Sequence, residues 1–258
     1  MKKNSIYFLI AFLSLNFISQ ESKPVFVIHK ANSRGLSNTE DWLLSRHTFS
    51  FGDYYDPQRL NFGALYVLND DRVKAGGGFP KHPHKNMEII SIVTHGGLEH
   101  NDNAGHSGII KEGDVQIMSA GSGVRHSEFN HSKTDSVNFL QIWIHPKIMN
   151  VAPRYVQKKF SPQKRKNALQ TIVSPVDTTA LFIYQDAIFM LGDFEKGKTF
   201  SYKLTMNNTG VYLFVLEGSV ETNGILLERR DGLGISNLKE ISIKADKDCT
   251  VLIMEVAK

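Results

Sequence analysis

Beyond residue 24 the chain is a succession of short apolar runs, each cut off by glycine, asparagine or aspartate. Segments 64–68, 88–94, 115–118, 139–144, 212–216 and 251–256 are rich in Val, Ile, Leu, Phe and Tyr, and each has the length of a single strand. Few windows sustain an amphipathic helix period for more than two turns. Strands this short and this evenly punctuated bury their apolar faces by stacking or closing their sheets, so the pattern predicts a sandwich or a barrel. A chain of 258 residues holds enough core for one large β domain or two small ones.

An internal echo favours two. Ile92-Val93-Thr94-His95-Gly96-Gly97-Leu98-Glu99, followed by Gly113-Asp114-Val115, reads as strand, glycine turn, strand and a second turn. Val215-Leu216-Glu217-Gly218-Ser219-Val220-Glu221, followed by Asp231-Gly232-Leu233-Gly234, repeats that order. Residues 151–175 lie between them, with Pro153, Pro162, Lys158, Lys159, Lys164, Arg165 and Lys166 and little alternation, the look of an exposed crossover. The expected fold is therefore all-β, with two barrels in tandem: residues 25–150, the crossover 151–175, and residues 176–258.

Apolar residues make up 41% of the chain and charged residues 22%, an ordinary balance for a soluble globular protein. The formal net charge is +4, with no basic run interleaved with aromatics, so no nucleic-acid partner is expected. A single cysteine, Cys249, excludes an internal disulfide. At the head of the apolar run 250–256 it reads as a half-buried strand residue and not as a reactive thiol.

The N-terminus has its own grammar. Lys2-Lys3 precedes the apolar stretch 6–15, and polar Ser19-Gln20-Glu21-Ser22-Lys23 follows, which is the order of a secretory signal. The stretch is shorter than the roughly 20 apolar residues of a spanning helix, so no stable membrane insertion is expected. Residues 1–22 are expected to be a removable export segment of a periplasmic protein, although no A-x-A-like pair precedes Glu21 or Lys23. The alternative is a cytoplasmic protein translated from a later start. A monomer is the default expectation.

The histidines locate the chemistry. All ten lie at or before residue 145, and six fall between residues 82 and 126. In His82-Pro83-His84 the two imidazoles are at i and i+2, so on a strand they project from one face, as metal ligation requires. His126-Ser127-Glu128 repeats the spacing just after the turn-rich Ala120-Gly121-Ser122-Gly123, and a hairpin-like return would bring this pair opposite the first. Glu88 competes with Glu128 for the carboxylate position, because 82, 84 and 88 share parity on an unbroken strand. His95, His100 and His106 lie in a polar hairpin, 94–107, and are expected to be solvated, as are His29, His47, His131 and His145. Without histidine, the second barrel is expected to hold no metal.

These motifs resemble the pirin family. The run from Gly76 through His82-Pro83-His84-Lys85-Asn86-Met87-Glu88 is similar to the first cupin motif. The run from Gly113-Asp114 to His126-Ser127-Glu128 is similar to the pirin variant of the second. His47-Thr48-Phe49-Ser50-Phe51, Asp53-Tyr54-Tyr55-Asp56-Pro57, Gln141-Ile142-Trp143-Ile144 and Pro153-Arg154-Tyr155 extend the resemblance over roughly residues 25–258.

The resemblance implies a double cupin with one divalent ion in the first barrel, iron foremost, held by His82, His84, His126 and Glu128. Nickel, copper, manganese, cobalt and zinc suit the same donors. It assigns the carboxylate to Glu128 and leaves Glu88 a supporting place. The chain most resembles compact bacterial members assigned as quercetin 2,3-dioxygenases. The implied activity is oxygenation of a flavonol by O2 with release of carbon monoxide, Glu128 acting as base. A second expectation is a metal-binding redox regulator that works through a protein partner without turnover. A third is a metal-dependent isomerase or hydrolase, since cupins host many chemistries.

Overall fold

The computed structural model describes residues 23–39 and 41–258, so the expected export segment lies outside the described residues. These residues form β1 (Val25–His29), β2 (Gly35–Thr39), β3 (Leu43–His47), β4 (Leu65–Val73), β5 (Gly78–His84), β6 (Glu88–His95), β7 (Gly97–Asp102), β8 (Ser107–Lys111), β9 (Asp114–Ser119), β10 (Val124–Asn130), β11 (Val137–Ile144) and β12 (Arg154–Lys159). They continue with β13 (Leu169–Val173), β14 (Ala187–Phe194), β15 (Thr199–Lys203), β16 (Thr209–Glu217), β17 (Ser219–Thr222), β18 (Ile225–Glu228), β19 (Gly232–Ser236), β20 (Glu240–Ala245) and β21 (Cys249–Ala257). The only helical pieces among the described residues are the 3-10 turns Ala31–Ser33 and Pro162–Arg165.

Two barrels result, as the internal echo predicts. The first closes a seven-stranded sheet, in the order β12-β9-β6-β11-β4-β3-β2, over a four-stranded sheet, β5-β10-β7-β8. The second closes β1-β19-β16-β21-β14-β13 over β15-β20-β17-β18. The central strands of each large sheet are buried on both faces. Ile90, Ile92, Ile117, Leu140 and Ile142 of the first barrel share one apolar cluster with Phe189, Leu191, Phe214, Leu252 and Met254 of the second. The odd-numbered neighbours Val211, Leu213 and Val215 face the second barrel's own interior. This double burial is why these strands read as unbroken apolar runs.

The structure redraws the expected boundaries in two places. Residues 25–29, expected in the first barrel, form β1, which pairs antiparallel with β19 from Val25↔Ser236 to His29↔Gly232 and belongs to the second. The pairing covers what would otherwise be an exposed sheet edge. Gly232 permits it, because a Cβ there would stand 2.2 Å from the Tyr212 hydroxyl. That hydroxyl lies 2.8 Å from His29 Nδ1, with both groups buried. Tyr212→Phe would strand the imidazole nitrogen and is expected to lower the unfolding free energy by about 1–3 kcal/mol, read from the urea midpoint.

The second correction concerns residues 151–175, which are more than a crossover. β12 adds an edge strand to the first barrel through β9, and β13 adds one to the second through β14. Lys158 and Lys159 are exposed on the first of these edges, where charge discourages pairing with another chain. Cys249 is buried at the start of β21, and burial pushes its thiol up to about 11, consistent with a packing residue.

Candidate metal centre

His82 and His84 close β5, the edge strand of the small sheet of the first barrel. Pro83 between them has no N–H to offer a ladder, which an edge strand tolerates. β10 runs antiparallel beside it, with His126 opposite His82 and Val124 opposite His84. Along β10 the buried positions are Val124, His126, Glu128 and Asn130, and the positions between them are exposed or half-buried. The alternation sends both functional side chains inward.

The turn before β10 does not make a hairpin. Gly121 adopts φ 48°, and a Cβ there would lie 2.0 Å from the Val151 carbonyl oxygen. The chain passes at this corner from β9 in the large sheet to β10 in the small one, where it pairs with β5 and β7.

His82, His84 and His126 converge, with a ring nitrogen of each within 4.8 Å of the others. His100, His126 and Glu128 form a second group within the same span, and Glu128 belongs to that group and not to the first. His126 is thus common to both, and a bulge in β10 against β5 falls between it and Glu128.

The donors are prepared for a cation. His82 Nδ1–H donates to the Pro80 carbonyl at 2.7 Å, which leaves its Nε2 lone pair free. His126 Nε2 is buried and has no hydrogen-bond partner, a costly state that a bound ion would relieve. Burial, with neighbouring His82, lowers the His84 pKa to about 4, and burial with the surrounding imidazoles lowers that of His126 to about 2. Both are neutral at pH 7, the form that ligates. Three converging imidazoles, with a buried carboxylate beside one of them, suit a divalent transition-metal ion.

Glu128 has no solvent exposure. Ser91 Oγ and Gln141 Nε2 donate to its two oxygens at 3.4 Å each, from the opposite sheet. Burial raises its pKa to about 7. Beside the imidazoles, Trp143 meets the His84 ring edge-on at 4.8 Å and Phe51 at 5.3 Å, forming an aromatic wall.

Glu88 stands elsewhere. Asn86, at φ 50°, breaks the strand, and Glu88 opens β6 in the large sheet. Its carboxylate accepts from Ser119 Oγ at 3.0 Å and from the Tyr184 N–H at 3.3 Å, and it joins neither ligand group.

Three histidines expected in solvent are buried: His29, His47 and His100. His47 bonds Asn69 Oδ1 and Ser37 Oγ, each at 2.8 Å. His100 is the position whose place beside the donor cluster the polar look of residues 94–107 conceals. It lies on β7 directly opposite Glu128, inside the barrel. The signal that could have found it is the alternation Leu98, His100, Asp102 against Glu99 and Asn101.

A protein of two packed β-barrels with such a donor set in one of them has the architecture of a bicupin. Residues 29–144 match the family described as Pirin, and residues 171–256 match the Quercetinase C-terminal cupin domain. The chain is 40% identical over 230 residues to a quercetin 2,3-dioxygenase of Escherichia coli K12, covering 89% of this chain and 97% of that protein. It is 42% identical over 218 residues to a pirin-like protein of Caulobacter vibrioides, covering 84% and 93%. The solved structure of bacterial pirin YhhW from Escherichia coli in complex with nickel(II) superposes with a TM-score of 0.85 at 39% identity, over 90% of this chain and 99% of that one. The chain belongs to the pirin family.

Proposed function

We propose that this protein is a metal-dependent flavonol 2,3-dioxygenase, which cleaves a quercetin-like C-ring with O2 and releases carbon monoxide and a depside. The observation that carries the reading is the convergence of His82, His84 and His126 beside the buried carboxylate of Glu128. Relatives bearing the name quercetin 2,3-dioxygenase add to it. We assign His82, His84, His126 and Glu128 as the ligands, iron as the resident ion, and a monomer as the working unit, since one chain supplies every group.

When bound, the ion supplies Lewis acidity to the flavonol's 3-hydroxyl group. The remaining work falls to side chains. Glu128 takes the proton of that hydroxyl, since its carboxylate is buried beside the imidazoles and within reach of a substrate bound there. Ser91 and Gln141 hold its carboxylate in place. Trp143 fixes the His84 ring and offers a flat apolar surface to an aromatic substrate.

The test is a turnover assay with quercetin and O2 on protein of measured metal content. Carbon monoxide equal to the flavonol consumed is expected. Fully metallated protein that releases none from any flavonol rejects the dioxygenase reading.

A further inference from the structure

His126 Nδ1 lies 3.3 Å from His100 Nδ1, and His100 Nε2 lies 3.3 Å from Asp102 Oδ2. The direction of these bonds follows from the far end. Asp102 Oδ1 accepts the backbone N–H groups of Ala104 and His106, and Oδ2 accepts His106 Nδ1–H at 2.9 Å. A carboxylate so placed is an acceptor only, so His100 must carry its proton on Nε2 and expose a bare Nδ1. That bare nitrogen can only accept, so the proton between the two imidazoles sits on His126 Nδ1. His126 Nε2 is then unprotonated, and it is the nitrogen that is buried without a partner. The His100 ring is held for this task by Tyr155, stacked on it at 4.3 Å and 22°.

We propose that His100 and Asp102 are positioning residues that lock His126 in its Nδ1–H tautomer and aim Nε2 at the metal. The proposal rests on the reading of His126 as a ligand. It gives a purpose to a fully buried histidine and a nearly buried aspartate side chain. It also sets His126 apart from His82, whose Nδ1–H is fixed by a backbone carbonyl alone. Partners of this kind raise ligand basicity and fix ring orientation.

Two measurements test it on the full chain. In metal-free, nitrogen-15-labelled protein, long-range imidazole correlations should show His126 protonated at Nδ1 and His100 protonated at Nε2. A His126 protonated at Nε2 overturns the proposal, whatever the metal does. In the second, His100→Phe keeps a ring against Tyr155 but removes the acceptor, and should weaken nickel(II) binding by about 10–100-fold. His100→Asn, whose amide oxygen can accept from His126 Nδ1–H, should recover most of that loss, which a merely structural role would not produce. Wild-type nickel affinity in a folded His100→Phe overturns the proposal. So does a His100→Asn protein as metal-poor as His84→Ala, which would make His100 a ligand itself. Wild-type protein that binds no nickel strikes instead at the metal reading, and the tautomer measurement still decides this one.

Discussion

Protein carrying His84→Ala is expected to leave purification without a stoichiometric metal ion and without flavonol turnover. His84 supplies one of three ring nitrogens that share a 4.8 Å span. Its removal deletes a donor outright, so the loss in metal affinity should exceed the roughly 10–100-fold typical of groups that only support a ligand. The fold should survive, because His84 is half-buried on an edge strand and contributes little to the apolar clusters. Metal analysis beside a thermal unfolding curve separates the two effects. A folded variant that retains one ion per chain removes His84 from the ligand set.

The second large effect is expected at Glu128. Glu128→Gln should keep most of its metal, since the three imidazoles remain, but should lose about 10²–10⁴-fold in kcat, because an amide cannot take the substrate proton. A competing effect must be measured with it. Burying a new amide N–H2 between Ser91 and Gln141 costs about 1–3 kcal/mol if no acceptor is found, so some loss of stability is expected. Glu88→Gln is the control. Its carboxylate is occupied by Ser119 and Tyr184, so both metal content and rate should remain near wild type. The reverse pattern, with metal lost in Glu88→Gln and both properties intact in Glu128→Gln, would exchange the two carboxylates.

What the sequence made legible was what it encodes locally. The short strands, the paired H-x-H and H-x-E motifs and their common inward face all follow from period-two alternation. The same rule misleads at Glu88, because parity is meaningful only along an unbroken strand and Asn86 interrupts this one. It was available but overridden at His100, where polar residues masked an alternation that buries every second side chain. The pairing of β1 with β19 has no local signature, since its partners lie about two hundred residues apart and only the finished barrel brings them together. The edge strand β12 hid for another reason: Arg154, Lys158 and Lys159 give it charge, and charge reads as loop.

The β1 pairing also bears on how the molecule is made. The strand that leaves the ribosome first among these finds its place beside one of the last, so the second barrel cannot be completed until nearly the whole chain has emerged. The first barrel, whose strands β2 to β12 pair only with one another, is free to form earlier, while β1 waits with its backbone unpaired and Phe26 unpacked. Closing a contact across so long a loop is slow, and an apolar strand left waiting is open to the wrong neighbour. Refolding from denaturant should therefore show an early phase from the first barrel and a late one from the second, the latter the more prone to aggregation as protein concentration rises.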